Sequence, residues 1–301
     1  MIRVLFGENS FELERELARI TANFDGEPER VSGEGLTKSG LADVLHGTTL
    51  FTSERLIVVR YLSDNGEVWE RLIDIKSASN YVVLVESKID KRSRVYKNLQ
   101  SVAEMQEFTP FEARDFYKVQ QWVGEEAASL GLDLNKKIVQ YLTEVVGQNQ
   151  WKLAQALDKL ALLDKRDIDE AIINELIEKS ADQNVFKVFE NAMQGKTKSV
   201  LKALDDMHEN EDFFRFFGLL VSQAFNLTVL VFSKKTPAEL AQKLGVSPYG
   251  LGNLKKFSGE VSKRKMRRVL RMLNATDLEL KTTNLEPKLV VKNLLVKISK
   301  L

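Results

Sequence analysis

Apolar residues fall along this chain in two rhythms. Over the first 110 positions, short continuous apolar runs (Ile2 to Phe6, Leu56 to Leu62, Tyr81 to Val85) alternate with stretches in which apolar residues return every three or four positions. A continuous run bounded by turn residues fits a strand buried on both faces, and the wider spacing fits a helix with one buried face. Phe11-Leu13-Leu17-Ile20, Leu41-Val44-Leu45 and Val68-Trp69-Leu72-Ile73 therefore predict crossover helices between parallel strands. Phe108-Thr-Pro-Phe111 closes this α/β pattern.

From Glu112 onward the strand runs cease. Helical spacing over Phe116 to Leu130, Lys136 to Val146 and Trp151 to Leu163, punctuated by Gly-Leu-Asp and Gly-Gln-Asn, predicts a small helical domain. A second all-helical segment begins near Asp182 and takes in Asp212 to Phe232, Ala238 to Leu244, Lys263 to Leu273 and Leu285 to Ile298. The predicted organisation is an α/β domain with a parallel sheet over 1–111, a small helical domain over 112–181 and an all-α domain over 182–301.

Composition agrees with a folded chain of more than one core. The 301 residues exceed what one core usually organises, and 44% hydrophobic with 29% charged residues is ordinary globular usage. No apolar run approaches the roughly 20 residues that span a bilayer, and Met1 to Phe6 reads as a strand rather than a signal peptide, so a cytoplasmic location is expected. The absence of cysteine excludes disulfides, thiolate nucleophiles and cysteine-held metals. A net charge of +1 hides an asymmetry: Gly252 to Leu301 holds 13 Lys/Arg against 4 Asp/Glu.

Catalytic chemistry finds few residues to use. A phosphate-binding loop needs G-x-x-x-x-G-K-[ST] between a strand and a helix. After the first predicted strand stands Gly7-Glu8-Asn9-Ser10-Phe11-Glu12, whose acids at a helix start would repel a triphosphate. Gln194-Gly195-Lys196-Thr197 imitates the end of such a loop, but Glu190 replaces its first glycine and the preceding residues read as helix; Gly33 to Ser39 is a looser imitation. His46 and His208 are the two histidines, without a G-x-S-x-G or H-E-x-x-H pattern. Asp164, Asp167, Asp169 and Glu170 read as a helix N-cap at Asp167 with acids in the first turn rather than as a metal site.

Three features remain. Leu50 and Phe51 are adjacent large apolar residues among hydroxyl and charged neighbours, Thr48 to Arg55, just before a strand. They either plug the core or form an exposed protein-binding anchor. Ser87 to Lys97 carries Lys88, Lys91, Arg92, Arg94 and Lys97 after a buried strand, which fits a solvated helix start or phosphate contacts. Ala238 to Lys256 resembles a helix-turn-helix with Gly245 in its turn, although Gly250 and Gly252 weaken its second helix as a groove reader.

Taken in order, these segments resemble the delta subunit of bacterial DNA polymerase III, the clamp-loader family that opens the sliding clamp. The resemblance runs through Leu5 to Leu17, Leu50-Phe51-Thr-Ser-Glu-Arg55 to Arg60, Leu84 to Lys97 with its Lys-Ile-Asp-Lys-Arg core, Leu157 to Leu163, Asn184-Val-Phe186 with Gly195, Leu244 to Tyr249, and Asp277 to Lys281. It implies an AAA+ module over 1–111 without a phosphate loop, a lid over 112–181 and a collar over 182–301 within a ring of five loader subunits. It also implies the sliding clamp (beta subunit), delta prime and gamma/tau as partners, and membership of a DNA-directed DNA polymerase (nucleotidyltransferase) assembly. Thr49, Leu50 and Phe51 would then bind the clamp, and Lys88, Lys91, Arg92 and Arg94 are expected to track phosphates of primer-template DNA. No catalytic residue, ATPase activity, cofactor or metal is expected. The alternative is a free-standing helix-turn-helix DNA-binding regulator.

Overall fold

The computed structural model describes residues 1–48, 54–163, 168–178, 181–207, 212–246 and 248–301. The chain divides into two compact units, Met1–Pro110 and Phe111–Leu301.

In the first unit, β1 (Ile2–Phe6), β2 (Glu29–Ser32), β3 (Leu56–Arg60), β4 (Tyr81–Glu86) and β5 (Glu104–Glu107) form a parallel sheet in the order β2-β3-β4-β1-β5. The connections carry α1 (Ser10–Ala22), α2 (Lys38–His46), the short α3 (Gly66–Trp69) and α4 (Arg94–Val102). The chain leaves β1 toward one edge and later steps the opposite way, so right-handed crossovers put α1 on one face and the later helices on the other. The two cores bear this out. Leu5, Val58, Val83 and Val85 pack with Leu13, Leu17 and Ile20 of α1, while Val4, Ile57, Val59, Val82 and Leu84 pack with Leu41, Val44, Val68, Val95 and Leu99. Burial on both faces explains the continuous apolar runs of β1, β3 and β4.

The edge strands β2 and β5 had no such signal. They are four residues long, read Glu-Arg-Val-Ser and Glu-Met-Gln-Glu, and bury nothing fully. The third strand is also shorter than its apolar run. It stops at Arg60 because Tyr61 takes a left-handed conformation (φ 57°) and a 3-10 turn over Leu62–Asp64 follows, with Leu62 still buried. The expected helix over Val68 to Ile73 is α3 followed by a 3-10 segment, Glu70–Asp74.

The second unit contains two hydrophobic cores. Helices α5 (Phe116–Ser129), α6 (Lys136–Val146), α7 (Gln150–Ala161) and α8 (Glu170–Leu176) surround Val119, Val123, Leu142, Leu153, Leu157 and Ile173. Helices α9 (Ala181–Met193), α10 (Thr197–Asp205), α11 (Phe213–Phe232), α12 (Pro237–Leu244), α13 (Pro248–Ser258), α14 (Lys263–Thr282) and α15 (Pro287–Ser299) surround Phe189, Leu220, Leu227, Leu254, Val269 and Leu295. Helix α14 outruns its expected end at Leu273, since Thr276 and Leu280 continue its buried stripe. By length and composition alone α11 is apolar enough to cross a membrane, contrary to the sequence expectation, but it is a core helix with seven buried residues.

Candidate functional site

The crevice of an open parallel sheet lies at the carboxyl ends of strands whose connections diverge, which here are β1 and β4. The loop after β1 is closed by its own backbone. Gly7 N–H donates to the Glu86 carbonyl (3.1 Å) and Asn9 N–H to the Phe108 carbonyl (3.0 Å). Gly7 has φ +133°, and a Cβ there would collide with the Phe108 carbonyl. The Asn9 side chain caps α1 by accepting from Glu12 N–H, and its amide donates to Thr109. Backbone donors that a phosphate loop would aim at an anion are thus committed to protein carbonyls. The two imitations of that motif have other structures. Gly195 (φ +76°) ends α9 with Lys196 leading into α10, where Thr197 Oγ1 lies 2.8 Å from Ser299 Oγ. Gly33 packs against Leu62, and Thr37 caps α2.

The predicted clamp-binding residues Thr49, Leu50 and Phe51 lie outside the described residues. Their flanks are well defined. Arg55, just beyond the segment, makes a two-pronged pair with Glu29 (2.7 Å from Nε and 2.7 Å from Nη2). Its Nη1 reaches back to the carbonyl of Gly47, just before the segment, at 3.0 Å. The buried Asn80 amide donates to the same Gly47 carbonyl (3.0 Å) and to that of Val44 (3.0 Å). Gly47 has no room for a side chain beside Asp43. The bond to Arg55 holds the Glu29 carboxyl below its ordinary pKa, and Glu29 in turn raises that of Arg55. This clasp joins the described residues on the two sides of the segment, Gly47 and Arg55. Sequence reading missed it, because Glu29 and Arg55 are 26 positions apart and neither belongs to an apolar pattern.

The second predicted group follows β4. Glu86 ends that strand fully buried, and its carboxylate accepts from Leu62 N–H (2.8 Å), Ser63 N–H (3.2 Å) and Ser63 Oγ (2.5 Å), tying the turn after β3 to the root of the cationic loop. Desolvation pushes its pKa up against those hydrogen bonds. Ile89 anchors the loop in the core, and Ser93 caps α4. Lys88, Lys91, Arg92 and Arg94 are all exposed. A shallow groove is lined by Ser63, Trp69 and Lys88 to Arg92, so three of the four cations share one surface and Arg94 is not among its lining residues. Lys91 is paired with Glu107 (2.6 Å) and Arg92 with Asp90 (3.3 Å), whereas Lys88 and Arg94 have no carboxylate partner among the described residues.

The remaining candidates resolve locally. Asp169, rather than Asp167, caps α8 by accepting from Ile172 N–H (2.9 Å); Glu170 pairs with Lys137, and Asp164 and Asp167 lie outside the described residues. Among the described residues no three His, Cys, Asp or Glu side chains gather as a metal site. His46 Nδ1 lies 3.1 Å from Ser79 Oγ, and His208 lies outside the described residues. The helix-turn-helix pair is α12 and α13, with Gly245 (φ +64°) between them and Leu240, Ala241, Leu251, Leu254 and Phe257 in the core, as bundle helices pack.

Residues 182–298 match the family model "DNA polymerase III delta subunit, C-terminal domain". That match makes the C-terminal segment of this chain similar to the delta-subunit family over those residues. No curated relative matches the chain. Among solved structures, the Bacillus subtilis DNA clamp loader delta protein (YqeN) is similar over 100% of this chain and 95% of its own, with TM-score 0.56 and 18% identity, and so shares its fold. A Thermotoga maritima RuvB variant (TM-score 0.35, 12% identity, 86% of this chain and 79% of its own) is more distant. So is a Thermotoga maritima DNA polymerase III gamma subunit-related protein (TM-score 0.33, 10% identity, 100% and 94%).

Proposed function

We propose that this chain is a delta-family clamp-loader subunit that binds and opens the sliding clamp for loading onto primed DNA during replication. The observation that carries the reading is the clasp: Arg55 and Asn80 pin both ends of the short segment that carries Leu50 and Phe51. A segment anchored at both ends loses less freedom on docking than a free loop, which favours its use as a binding element. Leu50 and Phe51, with Thr49, enter an apolar pocket on the clamp (beta subunit) and act as a wedge. Residues 112–181 serve as lid, and 182–301 as the collar that joins delta prime and gamma/tau in a five-membered ring. The committed backbone donors at Gly7 and Asn9 support a subunit that does not itself hydrolyse ATP and needs no cofactor, so the ATP signal comes from neighbouring subunits. Lys88 and Arg94, the unpaired cations after β4, reach DNA phosphates, with Lys91 and Arg92 contributing once their carboxylate partners yield. Such a subunit works in the cytoplasm.

The test is a clamp-binding titration of the Leu50→Ala/Phe51→Ala variant with its melting temperature. Buried anchors of this type cost about 2–4 kcal/mol each on truncation, so binding should weaken at least about 100-fold. The melting temperature should stay close to that of the parent. Unchanged binding, or a collapse of stability, overturns the reading.

A further inference from the structure

Five of the 13 cations between Gly252 and Leu301 fall on one face of α14. Lys263, Arg264, Arg267, Arg268 and Arg271 are all exposed. At about 100° per residue they fall within an arc of about 140°. Met266, Val269, Leu273, Thr276 and Leu280, the buried residues of the same helix, lie opposite. The stripe is about 12 Å long at 1.5 Å per residue, a length that several successive phosphates of a nucleic-acid strand would occupy.

No carboxylate lies within ion-pair distance of these five side chains among the described residues, while the one α14 pair, Lys281 with Asp277, sits in its last turns. Lys263 and Arg267 rest over the Phe232 ring, 5.5 and 5.6 Å from its centroid. The arrangement works against the helix. Its first turn has no acidic residue, although acids, not cations, favour the positive end of a helix dipole. Lys263 and Arg267, Arg264 and Arg268, and Arg267 and Arg271 are like-charged pairs at i,i+4, which repel. Four of the five are arginines, whose planar fork matches phosphate oxygens.

We propose that this face of α14 binds the phosphate backbone of nucleic acid, as a second contact surface separate from the loop after β4. The proposal does not depend on clamp binding and is read by different residues from Lys88 and Arg94.

The test uses the full chain, a 20-base-pair duplex and a 20-nucleotide single strand, with affinity followed by fluorescence anisotropy from about 50 to 200 mM salt, a range over which phosphate contacts are strongly attenuated. Arg264→Gln/Arg268→Gln/Arg271→Gln should lower the slope of log affinity against log salt by about 2–3 on the form of DNA that is bound. A variant with equal charge removal elsewhere in the second unit, Lys136→Gln/Lys198→Gln/Lys202→Gln, should leave the slope unchanged. Because the repulsion is relieved, the arginine variant should melt at the same or a higher temperature. If it melts lower, Arg264→Lys/Arg268→Lys/Arg271→Lys decides: a slope kept by lysine and lost by glutamine supports the surface, and loss in both overturns it. An unchanged slope, or no binding of either DNA by the parent chain at the lowest salt, also overturns it. Loss of binding to polyglutamate with an intact slope on DNA would assign the face to an acidic protein instead, and so overturns it too.

Discussion

In residues 1–110 the charges that matter to the architecture meet a partner. Arg55 holds Glu29 with two prongs, Arg60 holds Glu14 in the same way (2.6 and 2.7 Å), Arg3 meets Glu16 and Glu104, and the buried Glu86 carboxylate is ringed by three donors. Along α14 five exposed cations have no such partner, on a helix whose own dipole disfavours them. The difference separates two uses of charge. Paired charges in the first unit tie together strands, helices and turns that lie far apart in sequence. The α14 cations have no carboxylate partner among the described residues and remain exposed. The loop after β4 stands between these cases, with two cations paired and two open.

The largest effect expected from breaking a paired charge is at Arg55. Arg55→Ala removes the donor that bridges Glu29 and the Gly47 carbonyl, and the side chain is only 10% exposed. Losing charge-assisted hydrogen bonds of this kind costs about 1.5–3 kcal/mol, to be measured by urea unfolding. Clamp affinity should fall as well, since the segment bearing Leu50 and Phe51 loses one of its ties. Arg55→Lys should not restore either property, because a single ammonium cannot span both acceptors in the geometry of a guanidinium. A loss below about 0.5 kcal/mol, the range of ordinary surface substitutions, would remove the clasp from the argument.

A smaller effect sharpens the middle case. Lys88→Gln/Arg94→Gln should lower the salt slope of DNA binding by about 1–2, as two phosphate contacts would. Lys91→Gln/Arg92→Gln should change it less, because Glu107 and Asp90 already occupy those cations. Equal slopes for the two variants would mean that local pairing does not govern which cations meet DNA.

What could be read in the sequence followed from local pattern. The strands β1, β3 and β4 were visible because burial on both faces leaves continuous apolar runs, and Asp212 was placed correctly at the start of α11, which it caps through Phe214 and Arg215 N–H. The edge strands β2 and β5 were not, since a strand paired on one side can be half polar. The cap at Asp169 was misplaced by two residues, because three aspartates within seven residues offer the same local chemistry and only the backbone selects one. The excess of cations was countable, but its meaning was not: Lys91 finds Glu107 sixteen residues away, and the α14 stripe emerges only when the helix fixes which side is buried. The Arg55 clasp joins positions 29, 47, 55 and 80, a grouping that no periodicity announces.

The smallest expected effect tests whether a paired charge is needed at all where geometry is already satisfied. In Glu86→Gln the side-chain oxygen can still accept from Leu62 and Ser63 N–H, while the new amide donates to Ser63 Oγ, which now accepts. The folded-state pKa of Glu86 is raised chiefly by desolvation. Below the ordinary carboxylate pKa both folded and unfolded chains hold the proton, and the residue adds no pH dependence. As pH rises, the unfolded chain ionises first, so the parent loses stability until the pH passes the raised folded value, after which the loss is constant. Each unit between the two values corresponds to about 1.4 kcal/mol. Glu29 and Glu16, held low by Arg55 and Arg19, behave oppositely: their contribution is complete above the ordinary value and disappears on acidification. Subtracting parent from variant at each pH removes these shared terms. Glu86→Gln should therefore gain on the parent in urea unfolding as pH rises above the ordinary carboxylate value of 4.5, and a difference that is flat with pH would show that the ionised carboxylate is no worse accommodated than its neutral replacement.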